Sequence, residues 1–187
     1  MENRDRVKCG GSSQLWWETK ARRRSTMANT ISDKKTRIKT WLMQEGWRVK
    51  EDSSPDALWL IQASEVTERP ILIGQPKRSA DVLVIQGEAG FAEEFDQHFG
   101  IMGDRERQEF IWDLRFGLLN MGVEARGIEE PLHEIQVHVR IFDDALTKDA
   151  FFNRVAKINF ALDYLLLMCE RRVLHARLNA SGTETIN

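Results

Sequence analysis

The segment 133–142, HEIQVHVRIF, alternates between polar and apolar residues almost without a break. Successive side chains of a β-strand point to opposite faces of its sheet, so this pattern predicts a strand with two different faces. The apolar face carries Ile135, Val137, Val139 and Ile141. The other face carries a polar row, Glu134, Gln136, His138 and Arg140. The row is either a binding surface or a solvated face of an outer strand.

Earlier segments also have the apolar and β-branched composition of strands: 47–51, 57–64, 71–75 and 81–87. Short links join them, which predicts a meander of antiparallel strands. Within 57–64, Leu58 and Leu60 face one way, while Trp59 and Ile61 face the other. An antiparallel sheet in a small monomer usually keeps one face wet. We therefore expect either helices on both faces, or helices on one face and a second subunit on the other.

Helical spacing and capping residues predict four helices, a short one around Phe95 and longer ones over 33–45, 104–121 and 148–172. Segments 123–128 and 133–142 read as a hairpin. The order is α-β-β-β-β-α-α-β-β-α. This order predicts an α+β fold, in which an antiparallel sheet of a meander plus a hairpin packs against helices.

Two helices carry a second apolar stripe opposite the stripe that faces the core. In 104–121 this stripe is Trp112, Phe116 and Leu119, and in 148–172 it is Phe160, Tyr164 and Leu167. Large aromatic side chains are favoured anchors of protein interfaces. These six residues are the predicted partner interface, and the alternative is burial against another layer of the same chain.

The 187 residues carry a net charge of -2 and 42% hydrophobic residues, which suits one globular domain over 31–172. Residues 173–187 are expected to be a helix end and a frayed tail. Residues 1–30 have no helical or strand period, and they are expected to be a disordered extension. This extension is a flexible tail, a segment upstream of a functional start near Met27, or a basic arm. Its few basic residues make a nucleic-acid groove the weakest of these alternatives.

The cysteines, Cys9 and Cys169, provide no disulfide framework, and no apolar run approaches the roughly 18 residues of a membrane span. We therefore expect a cytoplasmic protein with no membrane contact. The net charge of -2 also disfavours a nucleic-acid partner.

The sequence contains no strong catalytic, cofactor or metal motif. His133 and His138 point to opposite faces of a strand and cannot share an ion. The acidic pair Asp143 and Asp144 fits a turn before a helix, and the segment 74–81 fits a hairpin tip. No catalytic, cofactor-binding or metal-ligating residues are predicted. The possible ligand face is the polar row.

Two segments carry a resemblance to a known family: ERQEFIWDLRFGLLNMGVEARGI (106–128) and VRIFDDALTKDAFFNRVAKINFA (139–161). The chain resembles an archaeal and bacterial family of uncharacterised proteins over about 31–172. The residues that carry the likeness are Glu109, Phe110, Trp112, Asp113, Leu114, Arg115 and the segment 143–152. The element order is also similar to the type III secretion chaperone fold, which implies a small homodimer that binds segments of other proteins.

The functional hypothesis is therefore a non-catalytic protein–protein interaction domain, an adaptor or a chaperone-like protein, that acts as a homodimer. Its partners would be a second copy and another protein or peptide. The alternative is an enzyme or small-ligand binder that uses the sheet face around Glu134, His138 and Arg140.

Overall fold

The structure, a computed structural model, describes residues 32–65 and 69–182, with side chains described up to Leu174. The predicted extension over 1–30 lies outside the described residues, as does the last part of the predicted tail, 183–187.

The described part of the chain forms four helices and six strands. The helices are α1 (32–44), α2 (Glu93–Ile101), α3 (Asp104–Met121) and α4 (Lys148–Gly182). The strands are β1 (Arg48–Asp52), β2 (Ala57–Ser64), β3 (Ile71–Pro76), β4 (Val82–Gly90), β5 (Glu124–Arg126) and β6 (Glu134–Phe142). A short 3₁₀ turn, Asp143–Ala145, joins β6 to α4. The α+β class and the predicted order of elements are confirmed.

All neighbouring strands of the single sheet are antiparallel, in the order β1-β2-β3-β4-β6-β5. The meander ends at β4, and the predicted hairpin then adds β6 beside β4 and β5 at the edge. The interpretation of β6 as an outer strand is wrong, because β5 covers its free edge over Glu124–Arg126. Gln136 and His138 of the polar row therefore have a neighbouring strand on both sides, whereas Glu134 and Arg140 pair only with β4.

The helices cover one face of this sheet. The apolar face of β6 is buried, as are Ile61, Ile73 and Ile85 of the central strands. Helix α4 lies across β4 so closely that a Cβ at Gly87 would come within 2.8 Å of Ile158 and Leu162 side-chain carbons. Within the described residues the opposite face, called here the open face, has no covering element. Two arrangements were expected for the strands that are apolar on both faces. The arrangement with helices on both faces is excluded for the described part of the chain.

Local signals account for the start of α4 and the end of α3. Thr147 Oγ1 accepts a hydrogen bond from the Ala150 N–H at 3.1 Å and caps α4 as predicted. Gly122 has a φ of 64° and ends α3. Helix α4 continues to Gly182 and does not end at 172, because no glycine or proline interrupts it before that residue. None of the described helices combines the length and the hydropathy that crossing a bilayer requires.

A buried polar network ties α1 to two turns. Lys34 is only 5% exposed, and its ammonium group donates to Asp143 and to the Ala80 carbonyl oxygen. Buried Gln75 also donates to this carbonyl, and its amide oxygen accepts from Trp59 Nε1 at 2.8 Å. The turn between β3 and β4 lies within the predicted hairpin tip, 74–81, and Asp143 also holds the first turn of α1.

Candidate functional site

Two surfaces of the described structure stand out, one on the helices and one on the sheet. The helical face consists of the six residues of the predicted interface, Trp112, Phe116, Leu119, Phe160, Tyr164 and Leu167. All of them except Tyr164 are between 50% and 68% exposed. Their partners on the core side, among them Phe110 and Leu162, are buried. Each of the two helices therefore carries a second apolar stripe, and no described element covers that stripe.

The two stripes lie side by side because α3 and α4 are antiparallel. At one end, Arg172 Nη1 lies 3.4 Å from Glu106 Oε1. At the other end, a Cβ at Gly122 would lie 3.2 Å from Lys157 Nζ. The Trp112 and Phe116 rings stack with centroids 5.6 Å apart. The helical face thus consists of exposed apolar side chains on two adjacent helices.

Tyr164 differs from the rest of the helical face because it packs between the helices. Its hydroxyl donates to the Asp113 carbonyl oxygen at 2.8 Å, and its ring lies over Gly117. Burial raises the pKa of Tyr164, and the Asp113 carboxylate acts in the same direction. Tyr164 therefore joins α3 to α4 and leaves only part of its side chain at the surface.

On the open face, the polar row divides into two groups. His138 Nε2 lies 3.1 Å from Glu124 Oε2, and Arg140 Nη2 donates to the same oxygen at 2.6 Å. Gln136 Nε2 donates to Glu134 Oε1 at 3.0 Å and to Glu88 Oε1 at 3.3 Å. The four predicted residues share a face, but they do not converge on one point.

Glu124 was not predicted as part of this surface. Its position follows from the register of the hairpin, in which Glu124 pairs with His138. Counting outward from the predicted turn, which is centred on Glu130, would have paired Glu124 with Gln136, two residues away from the observed partner. The carboxylate that organises the end of the row thus comes from β5 and not from β6.

Two adjoining hollows occupy the open face. One has a volume of about 690 Å³ and lies over Gly74, with Leu60, Leu72 and Val84 among its lining residues. The other has a volume of about 480 Å³ and includes His138 and Arg140. Both are lined by Pro76, Val84, Gln86 and Arg126. Volumes of this order are typical of small-ligand sites.

The chemistry available on the open face is hydrogen bonding and proton exchange. The His138–Glu124 pair is within the hydrogen-bond reach that a general base and its orienting carboxylate need. Among the described residues, no three His, Cys, Asp or Glu side chains cluster as a metal site would require. Cys169 lies on the helix side, where burial first and Glu170 second raise its thiol pKa to about 12. Its thiol is therefore protonated and a poor nucleophile at neutral pH.

Comparison with known proteins agrees with the predicted family. A family model described as "Uncharacterized conserved protein (DUF2299)" matches residues 34–168. The chain is also similar to an uncharacterized protein from Methanothermobacter thermautotrophicus of known crystal structure. That similarity has a TM-score of 0.69 and 27% sequence identity, and it covers 74% of this chain and 97% of the other. No curated protein matches the sequence. The chain belongs to the DUF2299 family of uncharacterized conserved proteins.

Proposed function

We propose that this protein is a non-catalytic protein–protein interaction domain, of the adaptor or chaperone-like kind, that works as a homodimer joined through its helical face. The observation that carries the proposal is the exposure of Trp112, Phe116, Leu119, Phe160 and Leu167 on two adjacent antiparallel helices. Contiguous apolar surface of this kind marks interaction sites in soluble proteins.

A second copy of the chain is the occupant that the geometry of the helical face favours. Both helices present their exposed residues at matched spacings, Trp112, Phe116 and Leu119 on one and Phe160, Tyr164 and Leu167 on the other. Because α3 and α4 are antiparallel, a second copy that is rotated by 180° about an axis through the helical face presents a similar pair of ridges to the first copy. Two such pairs can pack as a four-helix layer with twofold symmetry.

Charged groups border the helical face and form a polar rim. Arg115 lies over the Trp112 ring, with its guanidinium carbon 5.4 Å from the centroid. Arg172 Nη2 lies 3.7 Å from Asp113 Oδ2. An apolar centre with a charged rim is the usual anatomy of a stable interface. Such a dimer would leave the open face of each subunit free for another partner, so the second subunit lies on the helical face and not on the sheet face where the strand pattern had predicted it.

The test compares two substitutions by sedimentation velocity over a range of protein concentrations. Phe116→Asp buries a charge in the proposed interface and should weaken dimerisation at least about tenfold. Met43→Asp is the matched control, because Met43 is 64% exposed on α1, outside the helical face. Unchanged sedimentation of the Phe116→Asp variant, or an equal effect of both substitutions, would contradict the proposal.

One observation favours the alternative, an enzyme or small-ligand binder around Glu134, His138 and Arg140. His138 lines a hollow and lies in hydrogen-bond contact with Glu124, as an acid–base pair or a ligand site requires. Under this alternative, His138→Ala should weaken binding of a small molecule on the open face and leave the mass of the assembly unchanged. A His138→Ala variant that no longer dimerises but binds the small molecule as tightly as the wild type does would exclude this alternative.

A further inference from the structure

We propose that the open face binds a small amphipathic carboxylate. Its apolar chain would lie in the hollow over Gly74, and its carboxylate would meet Arg126. This inference deepens the small-ligand alternative, on which it rests, and it does not depend on the dimer. It also moves the centre of the site away from the polar row to residues of β2, β3, β4 and β5.

The hollow over Gly74 is apolar and built into the register of the sheet. Leu60 and Val84 pair directly with Gly74 from the two neighbouring strands. Gly74 has no side chain, so the Leu60 side chain leans over it and, with Leu72 two residues along β3, forms part of the apolar floor of the hollow. A Cβ at Gly74 would come within 2.8 Å of Leu60 Cδ1 and 2.9 Å of the Trp59 carbonyl oxygen. The close approach of β2 therefore keeps this position small.

Arg126 is the cation that both hollows share. It is exposed, and no carboxylate pairs with it in the described part of the chain. Glu88 lies in the same row as Arg126, because both residues pair with Gln136. The Glu88 carboxylate, however, already accepts hydrogen bonds from Gln86 and Gln136. The charge of Arg140 is matched by Glu124. Arg126 is thus a guanidinium free to hold an anion, at the point where the apolar hollow meets the polar one.

The remaining charges of the two hollows lie in turns at one end of the sheet. Arg78 and the carboxylates of Asp56 and Asp81 line the hollows there. The two carboxylates outnumber Arg78, so the three groups carry a net charge of -1 and that end of the face is less favourable for an anion than Arg126. An anionic group is therefore directed toward Arg126.

The dimensions fit a chain laid across the strands. Neighbouring strands are about 4.8 Å apart, so Leu60 on β2 and Val84 on β4 are separated by about 10 Å, which a medium-length alkyl chain covers. Arg126 lies two strands beyond Val84, in the row of Glu88, and it meets the carboxylate through its long side chain, which lines both hollows. Gln86 and His138, which pair across β4 and β6, lie next to that end and can donate further hydrogen bonds.

The experiment titrates the full-length protein with decanoate by isothermal calorimetry, and with decylammonium for comparison. We expect saturable binding of one decanoate per chain and little binding of decylammonium. Arg126→Gln should weaken decanoate binding about tenfold or more, because a charge-assisted hydrogen bond is lost. Arg48→Gln is the matched control, since Arg48 is exposed on β1 at the opposite edge of the same sheet.

A second variant tests the apolar part of the site separately. Val84→Phe adds a ring to the hollow and should abolish decanoate binding, while its circular dichroism spectrum remains that of the wild type. Four results would overturn the proposal: no saturable binding of decanoate, equal binding of decylammonium, equal effects of Arg126→Gln and Arg48→Gln, or binding of acidic peptides alone. A change in oligomeric mass bears on the helical face and not on this site.

Discussion

At Gly117, the absence of a side chain allows α3 and α4 to approach closely. A Cβ at this position would overlap the hydroxyl and ring of Tyr164. Tyr164 in turn donates its hydrogen bond to the backbone of α3 at Asp113. A residue with low helix propensity is thus kept at the centre of a helix because an aromatic ring occupies the space beside it.

Gly117→Ala should therefore change stability with opposite signs in two backgrounds. In the wild type, the new methyl group displaces Tyr164, and we expect a loss of about 1–2 kcal/mol in the free energy of unfolding. In a Tyr164→Ala background, only the gain in helix propensity remains, about 1 kcal/mol. Urea denaturation of the four proteins measures both effects. A loss of equal size in both backgrounds would show that Tyr164 is not the obstacle.

Cys169 makes stability depend on pH at the alkaline end. Its pKa rises from an ordinary value of 9.0 to about 12 in the fold, so folding favours the neutral thiol. This contribution is complete below about pH 9, and it is lost as the pH rises from there toward 12. Wild type should lose more stability than a Cys169→Ala variant between pH 8.5 and 11, as measured by urea denaturation. Parallel stability curves for the two proteins would contradict the assignment.

At the scale of elements, the Lys34–Asp143 pair holds the start of α1 against the turn that follows β6. The two partners differ in environment, because Lys34 is 5% exposed and Asp143 is 39% exposed. Asp143→Asn leaves a buried ammonium group without its counter-charge and should cost about 3 kcal/mol. Lys34→Met leaves a carboxylate that water can hydrate and should cost about 1 kcal/mol. Thermal denaturation of both variants measures the two losses of stability. Equal losses, or a larger loss for Lys34→Met, would argue against this account.

Local pattern was sufficient to predict most elements of this fold. The bounds of α3 follow from the helical period of 104–121 and from Gly122, and the bounds of β2 follow from one apolar segment between turns. The exposed stripe of α3 was also recognisable, because Trp112 and Phe116 lie opposite Phe110 on the helix. Periodicity reports which side of an element is apolar, and that information is local.

The features that sequence reasoning missed depend on contacts between distant segments. The partnership of Glu124 with His138 requires the register of β5 against β6. The hollow over Gly74 requires the pairing of β3 with both of its neighbours. Lys34 and Asp143 are far apart in the chain, and nothing in either local sequence indicates that they meet. Pairing across a sheet is set by the whole fold, so single segments do not reveal it.

At the scale of the molecule, two surfaces of different character lie on opposite sides of a two-layer structure. The helical face is apolar, with a charged rim, and it suits a large, flat partner. The open face combines an apolar centre with guanidinium groups, and its hollows suit a small one. One side of the strands that are apolar on both sides supports the helices, and the other side forms the open face.

The central claim is that the helical face joins two copies of the chain, and the mass of the unmodified protein in solution tests it most directly. Light scattering coupled to size exclusion, over a wide range of protein concentration, measures this mass without any label or substitution. The account predicts a species of twice the chain mass of 21.7 kDa that dissociates only on dilution. A mass of 21.7 kDa at every concentration would contradict it.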